Sequence, residues 1–511
     1  MTKQRLGMAF VPLALAYLAV AINMTVANIA LPSISTSLNA DNSDLAWIVN
    51  ATPLASAAVI LFAGGIGDRS GRKKILIFGI ALFAASAILS AVVTSPGQLI
   101  AVRAVSGVAT AFVMPAALAL VFDVVAKPSR PTAVGIMSAT QALGSMLGPL
   151  LGGLVLLAFW WGAAFLVVVP FLLVALAMSI WLLPKDVRDS DSPKVPLDLP
   201  ASILTALAGA ALIFAVIEGS GRGTVNPSVW IGAAVVGVLA IVALIWWERR
   251  CENPLIDLEI CRRRTFSIPI AAIFIVNFVL GGVMFMSTQY TQLVLGFSPF
   301  MAGLFLLPAL VIWAATATLS GRLARTFGNR PVLAVGFVLG AVGLVIVGLS
   351  GANPNIAVLL IGMGLVGFIG VGPAQLTHTA ISSFPDERRT VGSALNSLAI
   401  RFGLAFGVAV FAGILGAIYQ GDVQSALSGL TSAQVDSVLN SLGGAVKVAE
   451  QLQGSAGEAL LVSAREAFAT GFGITLFAAA GLLVLAAIVT SIFLPDIAKK
   501  SKTPEVVEEL T

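Results

Sequence analysis

The chain has 511 residues, of which 58% are hydrophobic and only 10% are charged. Soluble domains carry roughly 25% charged residues, because a surface that faces water must be polar. The composition therefore excludes a soluble protein, and the surplus apolar surface is expected to face lipid.

Apolar runs long enough for a membrane helix, about 20 residues, recur along the whole chain. The first run follows Lys3 and Arg5 and is longer than the core of a signal peptide, so it predicts a first membrane helix. The segment at about 420–468 is polar and predicts a short amphipathic hairpin or helix outside the membrane. The fourteen predicted spans are 8–32, 45–66, 75–94, 98–122, 134–157, 163–183, 199–217, 229–247, 267–287, 299–319, 331–350, 356–376, 391–419 and 470–494.

The basic residues divide unevenly between the predicted loops. With a cytoplasmic N-terminus, 24 of the 29 lysines and arginines fall in cytoplasmic segments, and this bias never inverts along the chain. We therefore expect a multi-pass protein of the plasma membrane with both termini in the cytoplasm. Because the basic clusters are short and separated by apolar runs, the net charge of +5 predicts no nucleic-acid partner.

Two predicted loops repeat one pattern, GGIGDRSGRKKIL from Gly64 and GRLARTFGNRPVL from Gly321. Three residue pairs share an offset of 257: Gly64 with Gly321, Gly71 with Gly328, and Leu76 with Leu333. Since the loops follow the second and tenth spans, the pattern predicts an all-α polytopic protein of two six-helix halves with two inserted helices. The predicted divisions are 1–184 for the first half, 185–265 for the linker with inserted helices 7 and 8, 266–495 for the second half, and 496–511 for a cytoplasmic tail.

The first repeated loop carries the run Asp68-Arg69-x-Gly71-Arg72-Lys73. This run resembles the signature loop of the major facilitator superfamily between helices 2 and 3. The resemblance implies a latch that closes the cytoplasmic side and breaks during alternating access; the alternative is a merely topogenic basic loop. The expected latch residues are Gly64, Asp68, Arg69, Gly71, Arg72, Lys73, Asp123 and Arg130.

The fifth predicted span contains a run of small residues that is similar to the antiporter motif of the drug-efflux branch, which accompanies exporters. Glycines spaced by four and five residues clear one helix face, so we expect this helix to press against a helix of the other half. Ordinary small-residue packing is the alternative, but it does not explain the arrangement Gly-Pro-x-x-Gly-Gly. The motif residues are Gly144, Gly148, Pro149, Gly152 and Gly153, and Pro149 is expected to kink the helix.

Further stretches resemble the fourteen-helix branch of drug:proton antiporters over essentially the whole chain. One departure is that the branch usually carries an aspartate two residues before the threonine of helix 1, where this chain has Asn23 before Thr25. A proton-coupled exporter usually relies on a buried carboxylate whose pKa changes as the cavity opens. No acidic residue lies deep in a predicted span, so Glu218, at a helix end, is the substitute candidate unless it is simply solvated.

Two arginines, Arg103 and Arg401, lie inside predicted spans. Arg103 resembles the helix-4 arginine motif of the family, and it needs a partner or water unless it snorkels to the outer interface. Two cations without a buried anion favour a neutral or anionic substrate. The expected cavity or coupling residues are Asn23, Thr25, Asn28, Arg103, Asn277, Asn396, Arg401 and Glu218.

These features and the resemblance together imply a secondary active transporter, not an enzyme. It is expected to export small hydrophobic drugs or metabolites by proton antiport and alternating access. The alternative is a dedicated exporter of one endogenous neutral or anionic metabolite or lipid precursor. No nucleotide-binding or HExxH motif occurs and His378 is the single histidine, so we expect no cofactor and no metal. The expected partners are a small-molecule substrate, protons and membrane lipid, and the chain is expected to be a monomer.

Overall fold

A computed structural model of the chain describes residues 3–125, 130–183, 199–220, 226–250, 263–384, 389–452 and 454–494. These residues form helices and short connections, without a strand among them. A π-helix, Tyr290–Val294, and two 3-10 helices, Gly367–Gly370 and Gln424–Ala426, interrupt the α-helical pattern. The α-helices are α1 (Lys3–Leu38), α2 (Asn42–Ser70), α3 (Arg72–Ser90), α4 (Pro96–Val124), α5 (Arg130–Leu156), α6 (Ala163–Leu166), α7 (Val169–Leu182), α8 (Leu199–Ser220), α9 (Pro227–Arg250), α10 (Arg264–Gln289), α11 (Pro299–Phe327), α12 (Asn329–Gly348), α13 (Ile356–Val366), α14 (Val371–Ile381), α15 (Arg389–Val423), α16 (Ser432–Asn440), α17 (Leu442–Leu452) and α18 (Gly454–Phe493).

Thirteen helical segments within the described residues are long and apolar enough to cross a membrane. Helices α6 and α7 count together as one segment, α10 continues through the π-helix, and α13 and α14 are joined by a 3-10 turn. The remaining predicted span is α8, whose apolar stretch Ile203–Gly219 is shorter than the others. The predicted all-α, polytopic architecture is confirmed.

The segment predicted at 420–468 contains a hairpin of two short helices, α16 and α17. Thr431 and Gln434 begin α16 with a reciprocal capping box. The last span was predicted from residue 470, but α18 begins at Gly454, because Leu460, Ala464 and other small or apolar residues before 470 are buried against the rest of the protein. We call this end of the bundle the hairpin end, and the opposite end, where α2 and α18 finish, the terminus end.

The two repeated loops have the same backbone geometry. Gly71 precedes α3 with φ of 104°, and Gly328 precedes α12 with φ of 91°, a region that side chains with a Cβ rarely adopt. Leu76 and Leu333, the third repeated pair, are both fully buried. The offset of 257 residues therefore corresponds to two equivalent turns at the terminus end.

One pair of basic residues extends this equivalence beyond the predicted motif. Lys73 Nζ donates hydrogen bonds to the carbonyl oxygens of Ile180 and Leu183, at 2.8 and 2.7 Å, where α7 ends. Arg330, at the same offset of 257, donates from Nε to the carbonyl oxygen of Leu494 at 2.6 Å, where α18 ends. Each cation thus satisfies the free carbonyls of the last helix in its own predicted half.

Among the described helices, contacts between the predicted halves include α1 against α10 and α17, α2 against α15, and α5 against α11. The inserted helix α8 packs against α2, α15 and α9, while α9 exposes a wide apolar face. The division of the chain into the four predicted regions stays a prediction. The tail 496–511 and the linker segments 184–198, 221–225 and 251–262 lie outside the described residues.

Candidate functional site

Arg103 is buried between four helices and is only 1% exposed. Its Nη1 donates to Asn23 Oδ1 at 2.7 Å, and its Nε donates to the carbonyl oxygen of Ile48 at 3.2 Å. The guanidinium lies 5.5 Å from the ring centroid of Phe165. The snorkelling alternative is therefore wrong, because the side chain is held inside the protein. Among the described residues, its partners are an amide oxygen, a main-chain carbonyl and an aromatic ring.

The other polar residues predicted on the first helix bond to α1 itself. Thr25 Oγ1 donates to the carbonyl oxygens of Ala21 and Ile22, each at 3.2 Å. Asn28 Nδ2 contacts the carbonyl oxygen of Met24 at 3.5 Å, and its Oδ1 has no hydrogen-bond partner. Asn23 Nδ2 also lacks one, so two buried amides of α1 keep unused polar atoms.

Arg401 lies where α15 meets α1 and α4. It is 9% exposed, and its Nη2 approaches Met114 Sδ at 3.7 Å. Tyr17 donates its hydroxyl to the carbonyl oxygen of the same Met114 at 3.1 Å. The structure therefore joins residues of both predicted halves around one cation. Sequence reasoning missed Tyr17 and Met114, since neither belongs to a motif.

Two asparagines predicted for the cavity bond within the second half. Asn277 Nδ2 donates to the carbonyl oxygen of Ile273 at 2.8 Å, and Asn277 packs beside Gly403 of α15. Asn396 Oδ1 accepts from Thr377 Oγ1 at 3.1 Å. Neither side chain is bonded to Arg401.

The glycines of the antiporter motif use two faces of α5 rather than one. A Cβ on Gly144, Gly148 or Gly152 would collide with α1, and the Cβ on Gly148 would overlap Thr25 Oγ1. A Cβ on Gly153 would instead lie 2.6 Å from the carbonyl oxygen of Pro299, at the start of α11. The expected contact of α5 with a helix of the other half is present at α11. The prediction that all the glycines form one face toward that helix is wrong, because three of them contact α1. Three glycines allow α5 to pack closely against α1, and Gly153 allows α11 to approach the main chain of α5.

Pro149 belongs to the same contact with α11. Its carbonyl oxygen would lie 2.7 Å from a Cβ placed on Gly303. Glycines on both helices thus allow the two main chains to meet at the hairpin end, with no side chain between them.

Three polar contacts link the predicted halves at the hairpin end. Gln292, in the π-helix, donates from Nε2 to the carbonyl oxygen of Ile29 at 2.9 Å. The hydroxyls of Ser35 and Ser441 are 3.4 Å apart, and Lys447 donates to Asn39 Oδ1. At the hairpin end, α1 therefore contacts the π-helix and the connection between α16 and α17, and the turn after α1 contacts α17. These contacts close the hairpin end.

Glu218, at the end of α8, is attached to α2. Its Oε1 accepts hydrogen bonds from Ser43 Oγ and Trp47 Nε1, both at 3.0 Å. Asp41 and Asp44 cap the start of the same helix reciprocally. Glu218 is therefore not simply solvated, because it joins an inserted helix to the first predicted half.

Part of the predicted latch lies on described helices, but the structure does not describe the side chains of Asp68, Arg69, Asp123 and Arg130 or the surroundings of Gly64. Their role as a latch stays a prediction. Lys73 bonds within the first half at the end of α7, as described above, and Gly71 forms the turn before α3. Arg72 begins α3 directly after this turn.

A cavity of about 690 Å³ lies between α2, α4 and α8. It is beside the Arg103 helix rather than at the Arg401 contact, and its lining is almost entirely apolar. The lining residues are Trp47, Ala51, Leu54, Ala55, Ala58, Val59, Ile100, Ala104, Ile203, Ala206, Leu207 and Ala210.

Comparison with known sequences identifies the family. The profile of the Major Facilitator Superfamily matches residues 13–408. The chain is 32% identical to the multidrug efflux pump LfrA of Mycolicibacterium smegmatis over 96% of this chain and 97% of that one. It is 28% identical to the methyl viologen resistance protein SmvA of Salmonella typhimurium over 95% and 97%. It is 31% identical to the methylenomycin A resistance protein of Streptomyces coelicolor over 76% and 82%.

Solved structures share the fold at low sequence identity. A bacterial homologue of the human lysosomal transporter Spinster, inward-facing and unoccupied, has a TM-score of 0.67 at 16% identity, covering 96% of this chain and 98% of that one. The xylose transporter XylE from E. coli, in a partially occluded inward-open conformation, has a TM-score of 0.60 at 14% identity, covering 98% and 100%. The chain belongs to the Major Facilitator Superfamily, resembles its drug-efflux pumps throughout its length, and is a multi-pass membrane transporter of small molecules rather than an enzyme.

Proposed function

We propose that this protein exports small hydrophobic drugs or metabolites across the plasma membrane by proton antiport and alternating access. The observation that carries the proposal is the contact of α5 with α11, where Gly153 and Gly303 bring two main chains together at the hairpin end. A contact without interlocking side chains can separate and re-form as a gate. The names of the relatives, a multidrug efflux pump and two resistance proteins, support the direction of transport.

The proposed orientation places both termini in the cytoplasm and the hairpin end outside, which follows the distribution of basic residues. The contacts of Gln292 and Ser441 with α1 then close the outer side. Substrate enters from the cytoplasm or the inner leaflet and reaches a site between the halves. The halves rock, the predicted latch closes the inner side, and substrate leaves at the hairpin end.

Glu218 is the proposed coupling residue. As a carboxylate it accepts two hydrogen bonds from α2, and protonation of the accepting oxygen would weaken both. A proton arriving from outside would thereby loosen α8 from α2 at the hairpin end. Because α8 also packs against α15, this change can reach the interface between the predicted halves.

The experiment uses purified protein in proteoliposomes with an imposed pH gradient and a fluorescent hydrophobic substrate. Wild-type protein should accumulate substrate only with the gradient. Glu218→Gln should abolish gradient-driven uptake but retain exchange of substrate without a gradient. Trp47→Phe, which removes one donor and no titrating group, should keep coupling. Accumulation that survives collapse of the gradient would reject proton antiport, and unchanged uptake by Glu218→Gln alone would reject only that residue.

A dedicated exporter of one endogenous neutral or anionic metabolite is the second candidate. The buried Arg401, whose side-chain contact in the described structure is a thioether, favours a substrate without positive charge. A growth-inhibition panel on cells with and without the protein separates the two candidates. Resistance to many unrelated compounds supports the multidrug exporter, and a single responsive compound supports the dedicated one. We expect a monomer, which light scattering of the purified protein tests.

A further inference from the structure

We propose that Arg401 binds an acidic group of the substrate, so that the protein transports amphiphilic anions. The inference rests on the proposed export function and adds the chemical class of the substrate. Its basis is a buried charge that the described residues leave without a counter-charge, at the junction of the two predicted halves.

Arg401 is a buried charged residue. It lies twelve residues into α15, about 18 Å from the helix start at 1.5 Å per residue, and it is 9% exposed. A charged side chain at such a depth is costly unless it is paired. Its hydrogen-bond partner is Met114 Sδ at 3.7 Å, and a thioether is a weak acceptor. In the described part of the chain no carboxylate pairs with it.

Arg103 and Arg401 differ in the partners that the protein supplies. That guanidinium has an amide oxygen, a main-chain carbonyl and an aromatic face as partners, each inside the first predicted half. Arg103 is therefore already engaged by the protein. Arg401 carries the same five N–H donors and uses one on sulfur, so its planar group retains donors for a carboxylate or sulfonate.

Arg401 lies at a contact between the two predicted halves. Met114 and Tyr17 lie on α4 and α1, whereas Arg401 lies on α15 of the other predicted half. A secondary transporter of this architecture holds its substrate between the halves near the membrane midplane. An anion at Arg401 would replace the weak contact with Met114, and it would supply the missing counter-charge at the junction of the two predicted halves.

The test compares two probes that differ only in one acidic group: 8-anilinonaphthalene-1-sulfonate and neutral N-phenyl-1-naphthylamine. Binding is measured on purified protein in nanodiscs, with empty nanodiscs subtracted, and tetraphenylphosphonium serves as the cationic probe. Wild-type protein should bind the sulfonate more tightly than either other probe. Tighter binding of tetraphenylphosphonium than of the sulfonate would overturn the proposal.

Substitutions test whether Arg401 is the residue that binds the sulfonate. Arg401→Gln should weaken sulfonate binding at least tenfold and change binding of the neutral probe less than twofold. The sulfonate affinity of Arg401→Lys should lie between those of the wild type and Arg401→Gln, because lysine keeps the charge but lacks the planar guanidinium. Arg325→Gln removes an exposed cation of α11 and should change nothing. Equal sulfonate affinity in wild type and Arg401→Gln would refute the assignment.

A second variant keeps the test decisive if Arg401→Gln does not fold. Met114→Glu places a carboxylate where the thioether contacts Arg401, so it should raise the melting temperature and abolish sulfonate binding. A folded Met114→Glu protein that binds the sulfonate normally would also refute the assignment. Export of the two probes from cells that express the wild-type protein tests the proposed function separately. If these cells export the neutral probe but not the sulfonate, only the substrate class is wrong.

Discussion

Substituting Gly153 by alanine tests the gate between α5 and α11. The new Cβ would lie 2.6 Å from the carbonyl oxygen of Pro299 and 2.7 Å from Phe300 Cα. Both are main-chain atoms, so no rotamer change can relieve the collision. Reaching an ordinary contact of 3.4 Å from 2.6 Å requires the helices to separate by about 0.8 Å. Overpacking of this kind costs about 1–3 kcal/mol.

The cost falls on the state in which the hairpin end is closed. The equilibrium should therefore shift toward the state open at the hairpin end by roughly 5- to 150-fold, which corresponds to 1–3 kcal/mol. Gly152→Ala is the matched control next in sequence, because its Cβ would meet only side chains of Val26 and Ile29 on α1. It should lower the melting temperature without opening the hairpin end. Gly481→Ala, with no atom within 4 Å, should do neither.

The assay is a pulsed electron paramagnetic resonance distance measurement across the gate. Spin labels are attached at Leu157→Cys and Met301→Cys, both more than half exposed, in protein with Cys251 and Cys261 replaced by serine. Gly153→Ala should enlarge the long-distance population. An unchanged distribution in Gly153→Ala, or the same enlargement in Gly152→Ala, would refute the argument that Gly153 closes the gate.

Three further predictions follow from single contacts. Asn23→Leu should destabilise the protein by about 2 kcal/mol, because Arg103 loses a charge-assisted hydrogen bond. Asn23→Asp keeps an acceptor for Arg103 and should melt at a higher temperature than Asn23→Leu. Equal melting temperatures of the two variants would contradict the pairing. Arg330→Ala should lower stability by about 1 kcal/mol while leaving transport unchanged, as thermal melting and vesicle uptake would show. Loss of transport without loss of stability would indicate a gating role instead. Gln292→Leu removes the hydrogen bond to the Ile29 carbonyl of α1, so cysteines placed at the hairpin end should react faster with a thiol-specific label. An unchanged labelling rate would show that this hydrogen bond does not hold the hairpin end closed.

Several features could be predicted from the sequence because they depend on residues close together along the chain. The apolar runs predict membrane helices wherever some 20 residues avoid charge. The offset of 257 identifies Gly71 and Gly328 as equivalent, and both have the positive φ that glycine allows. The resemblance to the family could likewise be recognised from short motifs, since these specify local turns and close helix contacts.

The tertiary structure decided which side chains meet across the bundle. Arg103 and Arg401 look alike in sequence, yet the first finds an amide 80 residues away and the second a thioether 287 residues away. The two faces of α5 and the attachment of Glu218 to α2 likewise depend on which helix lies alongside. Helix packing joins residues that are remote in the chain, and no spacing encodes those pairs. Apolar length determines that a segment enters the membrane, whereas the partner of a buried charge is determined only when the helices pack.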